Sequence, residues 1–218
     1  MRAISVICGV MLAAAACSGC LVKEVRHTVY LGASGAVWSV IEKDVRSDEK
    51  VAADRIREEH DYLLAARAGQ HGVAQALRGM GAESVTTTWL RRDRPYSVMT
   101  EARFADVRQL TMAILREAQA QGDVTLVRDG CRTRFGVCLN LEQSGSKADS
   151  PLEALMDDLE TYRLVLTEGR FISADGFEIL DGGSIAVPDK KKAPVDGILT
   201  LALTWADEGC PGTPSIKP

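Results

Sequence analysis

Chemistry in this 218-residue chain rests on few side chains, since it holds three histidines and six cysteines. His27, His60 and His71 share no metal-ligand spacing with one another or with a cysteine. His60 lies in "REEHD", where a di-iron Glu-x-x-His motif would need an acid at the position of Arg57. Glu58-Glu59 and Asp157-Asp158 are adjacent on predicted helices, so each pair diverges by about 100° and forms no acid/base couple alone. Ser34 in "GASGAV" sits in a hairpin turn rather than a strand-to-helix elbow. "GQHGVAQALRGMG" follows a helix, so it is not a dinucleotide loop. Lys190-Lys191-Lys192 in a Pro-flanked loop reads as a solvated hairpin tip. Cys138, beside Arg134, is a candidate reactive thiol but has no histidine to pair with. The reading is therefore of no catalytic centre, no metal and no cofactor. One binding pattern remains. Arg91, Arg92 and Arg94 surround one predicted hairpin turn, and Arg128, Arg132 and Arg134 surround another. If the two units are equivalent, both tips fall at one sheet edge. They would form a basic rim for anionic lipid headgroups or an envelope protein. Ordinary charge that keeps turns soluble is the alternative.

The elements that position these residues read as hairpins alternating with helices. "VRHTVYL" (25–31) and "AVWSVIEKDV" (36–45) are strands about a "GASG" turn. Ser47 reads as the cap of a helix reaching about Ala68, with Ala52, Ile56 and Leu63 on its apolar stripe. Gly69 and Gly72 break it before a short second helix carrying Val73, Leu77 and Met80. Strands 83–92 and 96–104 flank Asp93-Arg94-Pro95. A helix over 106–121 carries Val107, Leu110, Ile114 and Ala118. Asp129-Gly130 suits a type I′ turn inside 123–141, where Phe135, Val137, Leu139 and Leu141 alternate inward. A polar loop (142–151) leads to a helix with Leu152, Leu155, Met156 and Leu159, and the rest reads as β, with Leu199, Leu201, Leu203 and Trp205 alternating. The order predicts an α+β fold: an antiparallel sheet built from ββα units, helices packed on one face, and a β-rich C-terminal part. Residues 20–206 read as one domain, in which a β subdomain could begin at about 161. Residues 207–218 read as a flexible tail.

The first residues read as a targeting segment. Arg2 precedes an apolar run, Ile4 to Ala16, too short for a membrane span of about 20 residues. "AAAACSGC" (13–20) resembles a bacterial lipoprotein signal, in which small residues precede a cysteine that takes a diacylglycerol and becomes the first residue. Ser18 and Gly19 favour Cys20. Cys17, preceded by Ala14 to Ala16, is the rival, and an ordinary secretory cut after Ala16 is the bland alternative. The resemblance implies a signal peptide over 1–19 and a chain held on a membrane by several acyl chains. Leu21 stands where such proteins often carry Asp for inner-membrane retention. This implies an outer membrane, facing the periplasm, if the cell has two. In that compartment Cys131, Cys138 and Cys210 could form a disulfide. Cys131 and Cys138 on one strand would lie more than about 20 Å apart and face opposite sides. Cys131 with Cys210 is the better pair, and no bridge at all is the alternative.

Composition is that of a folded domain, 46% hydrophobic and 26% charged. Loss of Arg2 with the leader takes the formal net charge from −4 to about −5, which speaks against nucleic acid. "RHTVYLGASGAVWSVIEKDVRSDE" and "LVLTEGRFISADGFEILDGGSIAV" resemble uncharacterised bacterial lipoproteins. More remotely, they are similar to the LppM-like envelope domains. The resemblance implies an envelope location and an interaction or structural role. It also admits a β-rich domain that carries or senses an apolar ligand between sheet and helices.

Overall fold

The computed structural model describes residues 21–118, 120–140, 162–189 and 191–211. The signal segment with Cys17 and Cys20, the 142–151 loop, the Leu152–Leu159 helix, Lys190 and the tail beyond 211 lie outside these residues.

The fold is α+β, with antiparallel sheets, helices packed against them and a strand-rich C-terminal half. Strands β1 (Leu21–Gly32) and β2 (Gly35–Ser47) form the first hairpin, followed by helices α1 (Ala52–Arg67) and α2 (Gly72–Gly79). Then come β3 (Ser84–Arg91), β4 (Tyr96–Phe104), α3 (Val107–Glu117), β5 (Gln121–Asp129) and β6 (Arg132–Asn140). The last part holds β7 (Tyr162–Leu166), β8 (Arg170–Asp175), β9 (Phe177–Leu180), β10 (Ile185–Pro188) and β11 (Ile198–Ala206).

The strands divide into two sheets rather than one. The larger runs β3-β4-β2-β1-β7-β10-β9 and the smaller β5-β6-β11-β8. One pair departs from the antiparallel expectation: β7 lies parallel to β1, His27 opposite Tyr162 through Leu31 opposite Leu166. In β2, Ala36, Trp38, Val40 and Glu42 share a face by the two-residue period of a strand. Their partners on β1 and β4 put Val29, Ala102 and Phe104 on that face. It packs across to Phe135, Val137 and Leu139 of β6 and Leu199, Leu201 and Leu203 of β11, giving one buried core under both sheets. Trp205 packs against its margin. Val45, Tyr62, Ala66 and Val98 make a satellite cluster beneath α1.

Turn and cap chemistry fix the ends. Gly35 has φ +117°, and a Cβ there would lie 2.5 Å from the Phe104 carbonyl oxygen, so only glycine closes the first hairpin. Gly130 takes φ +58° in the Asp129-Gly130 turn. Asp106 caps α3 by accepting from the Gln109 amide at 2.7 Å, while the Gln109 side chain accepts from the Ala105 amide at 2.8 Å. Ser47 does not cap α1. It is the last residue of β2, and α1 starts after Val51, which offers no side-chain cap. The expected stripe of α1 is split: Ala52 and Ile56 are exposed, Ile56 by 70%, whereas Leu63 packs against the satellite cluster. No helix among the described residues is long and apolar enough to cross a membrane.

Strand direction separates the hairpin tips. β1 runs from a "Leu21 end" to a "Gly32 end", roughly 40 Å for twelve residues at about 3.3 Å each. β4 runs the same way, with Tyr96 opposite Val45 and Phe104 opposite Ala36, so the β3–β4 turn lies at the Leu21 end. The helix α3 carries the chain back, and the β5–β6 turn arrives at the Gly32 end.

Candidate functional site

The chemistry-bearing residues gather in three places. The first is a buried polar cluster on the inner face of β2. Glu42 follows Ala36, Trp38 and Val40 in phase and is wholly buried. It is ion-paired to Lys23 of β1. The Tyr62 hydroxyl of α1 donates to its Oε2 at 3.1 Å, and His71 Nε2, at the start of α2, lies 3.2 Å from the same oxygen. His71 Nε2 is also 3.0 Å from Thr100 Oγ1 of β4. Burial alone would raise the Glu42 carboxyl. The hydrogen bond from His71 and the charge and bond of Lys23 outweigh it and hold the group at about 2. Burial, then the Glu42 charge, pushes the Tyr62 phenol far above its usual range. His27, one row along the sheet, stacks on Tyr162 at 4.4 Å between ring centroids and accepts at Nδ1 from Trp38 Nε1 at 3.2 Å. Burial lowers His27 to about 4, against the pull of Glu42, so it is neutral at pH 7.

This cluster joins β1, β2, β4, α1 and α2 through one carboxylate. Its contacts are those of a pin between elements, and it lines neither cavity described below. The sequence reading missed it. The signal was present in Glu42, a charged residue in phase with three core positions. A second pin lies next to it. The Ser47 amide donates to Glu59 Oε1 at 3.0 Å, the Ser47 hydroxyl to Glu58, and Arg94 pairs with Glu59 at 3.0 Å. The adjacent glutamates thus both reach Ser47, and both are buried. His60 is exposed.

The second place is a cleft of about 660 Å³ at the Gly32 end. Its walls include the β1–β2 turn, Asp106 at the start of α3, Trp205, Glu168, Asp207 and Glu208, with Arg128 the one basic residue among the described ones. Arg128 pairs with Asp207 at 2.7 Å. The third is an apolar crevice of about 120 Å³ between the sheets, lined by α3 with Phe135, Val137, Tyr162, Phe177 and Leu201 among others.

The structure does not bring the six arginines together. Arg91, Arg92 and Arg94 are at the Leu21 end, whereas Arg128, Arg132 and Arg134 belong to the other sheet at the Gly32 end. The units are not equivalent, since two helices precede β3 and only one precedes β5. Three of the six are also engaged: Arg94 with Glu59, Arg128 with Asp207, and Arg132 with the Pro211 carbonyl at 3.0 Å. Cys131 and Cys210 are joined by a disulfide with Cα atoms 5.7 Å apart, tying the β5–β6 turn to the segment after β11. Cys138 is free and exposed. Lys192 pairs with Asp175 at 2.5 Å. Among the described residues no three His, Cys, Asp or Glu side chains converge to hold a metal.

The sequence matches no protein-family profile and no curated protein. Among solved structures it is similar to the folded domain of LppM from Mycobacterium tuberculosis. The identity is 12% and the TM-score 0.35, over 88% of this chain and 92% of that one. At that distance the likeness transfers no residue and no role.

Proposed function

We propose that this chain is a lipoprotein of the bacterial cell envelope, held on a membrane by acyl chains on Cys20, with an interaction or structural role rather than a catalytic one. The observation that carries the reading is that Leu21, the residue after Cys20 in the sequence, already belongs to β1. β1 is the middle strand of the seven-stranded sheet. An acylated Cys20 would thus be one peptide unit from the Leu21 end of this middle strand, and the cleft at the Gly32 end would face away from that membrane. An outer membrane facing the periplasm is the proposed address.

Mass spectrometry of the N-terminal peptide from membrane-extracted protein should find a diacylglyceryl adduct on Cys20. An unmodified peptide beginning elsewhere would refute the anchor. Cys20→Ser should move the protein to the soluble fraction, and unchanged retention would count equally against it.

The apolar crevice favours a second reading, a carrier or sensor of an apolar ligand. Its volume of about 120 Å³ argues for the first, because small-molecule sites usually enclose about 300–1,000 Å³.

A further inference from the structure

Helix α1 docks through a mixed face. Glu58, Glu59 and Tyr62 are committed to Ser47 and Glu42, and Leu63 and Ala66 pack in the satellite cluster, while Ile56 points to solvent. A short amphipathic helix normally buries its large aliphatic side chains. Ile56 has similar company. Val51, which precedes α1, is 56% exposed, Leu90 at the end of β3 is 50% exposed, and Val22 is 40% exposed. All four belong to the Leu21 end. Val22 pairs with Arg46 in the last turns of the β1–β2 ladder, and Val51 follows the end of β2 by four residues. Leu90 precedes Arg91, which pairs with Ser97 at the same sheet end. Glu59 of α1 meets Ser47 and Arg94 there, which places Ile56, one turn earlier in α1, near this end as well.

We infer that the Leu21 end of the large sheet is a membrane-contact surface, with Val22, Val51, Ile56 and Leu90 entering the headgroup–acyl boundary and Arg91 and Arg92 at the phosphate level. The inference rests on the Cys20 anchor proposed above, which leaves no linker by which this end could stand away from the bilayer. Exposed aliphatic side chains cost free energy in water, and covering them with acyl chains removes that cost. Arg91 and Arg92 are exposed and have no ion-pair partner among the described residues. Their long stems suit a phosphate layer above apolar side chains. Asp48 and Asp93 share these loops, so the net charge of the end is small. The contact is carried by the apolar side chains, with the arginines pairing phosphates locally.

The test uses the full chain, produced in bacterial cells and reconstituted in vesicles of phosphatidylethanolamine and phosphatidylglycerol containing nitroxide-labelled lipid. In a Cys138→Ser background, Ile56→Cys, Leu90→Cys and Val127→Cys each carry an environment-sensitive fluorophore. Val127 is 58% exposed and lies beside Arg128 at the Gly32 end. Emission at positions 56 and 90 should shift to shorter wavelength and be quenched by the nitroxide, while position 127 stays unchanged. Mass spectrometry of the N-terminal peptide in the same samples separates the two ideas. A lipidated protein with no quenching at 56 or 90 overturns the surface and leaves the anchor standing. Equal quenching at all three positions also overturns it, because it shows no preferred face. A chain without lipid at Cys20 removes the anchor and the inference with it.

Discussion

The residue with the largest structural reach is Glu42. It is fully buried, yet the hydrogen bond from His71 and the charge of Lys23 keep its carboxylate ionised. The folded value of about 2 lies below the ordinary 4.5, so the native state favours the charged form. The stabilisation is therefore present above about 4.5 and is lost as pH falls towards about 2. Glu42→Gln should cost on the order of 3 kcal/mol at pH 7, because it takes the anion away from the buried His71 and Tyr62 and from the partly exposed Lys23. Its melting temperature should then depend less on pH between about 4.5 and 2 than that of wild type. An unchanged acid limb would show that the carboxylate is not the pin. His27 acts in a neighbouring window. It is a base lowered from 6.5 to about 4, so the unfolded chain takes up a proton that the native protein refuses as pH falls through that interval. Stability drops there, and His27→Gln should flatten that part of a stability–pH curve, measured by denaturant unfolding. These pins were hard to read in advance because the two-residue period of β2 marks Glu42 as inward but names none of its partners. Lys23, Tyr62 and His71 come from three other elements.

At the scale of elements, the hairpins were legible because each is local. Alternation set the faces of β4, β6 and β11, and Asp129-Gly130 set a turn. Leu203 is fully buried opposite Phe135, while Thr200 on the same strand is exposed. Leu203→Ala should therefore lower stability by about 2–5 kcal/mol, and Thr200→Ala by less than about 0.5 kcal/mol. Similar values from chemical denaturation would mean that the strand is set in the wrong register. Helix α1 was legible in its existence but not in its face. Periodicity marks Ala52, Ile56 and Leu63 as the buried stripe, of which Leu63 packs inward, whereas the rest of the docked face is Tyr62, Ala66 and the glutamates that satisfy Ser47. Hydrophobic pattern alone cannot anticipate a face chosen by buried hydrogen bonds. Ile56→Ser should accordingly leave the melting temperature nearly unchanged, while Tyr62→Phe, which removes a buried donor to Glu42, should lower it.

Over the whole molecule, what the sequence left open was how the hairpins are stacked. Each hairpin is written in neighbouring residues, but the division into two sheets depends on contacts far apart in the chain. β1 meets β7 across more than a hundred residues, and β6 meets β11 across about sixty. The same stacking sends successive hairpin turns to alternate ends, which is why six arginines with matching local settings do not share a rim. At the Gly32 end the Cys131–Cys210 disulfide secures this arrangement. It brings the segment after β11 to the β5–β6 turn, where the Asp207 amide donates to the Cys131 carbonyl at 2.9 Å and Arg128 reaches the Asp207 carboxylate. A bridge spanning 79 residues removes much of the freedom of the unfolded chain. Changing Cys131→Ser and Cys210→Ser together should cost about 2–5 kcal/mol. Because the bridge also holds Asp207 against Arg128, the double variant should admit protease at the segment after β11 before the core opens. Cys138→Ser, which removes an exposed thiol outside the bridge, should leave both stability and the proteolysis pattern as in the parent. Limited proteolysis followed by mass spectrometry would read this directly. An identical cleavage pattern in the double variant would show that the Arg128–Asp207 pair and the β11 ladder hold that end without the bridge.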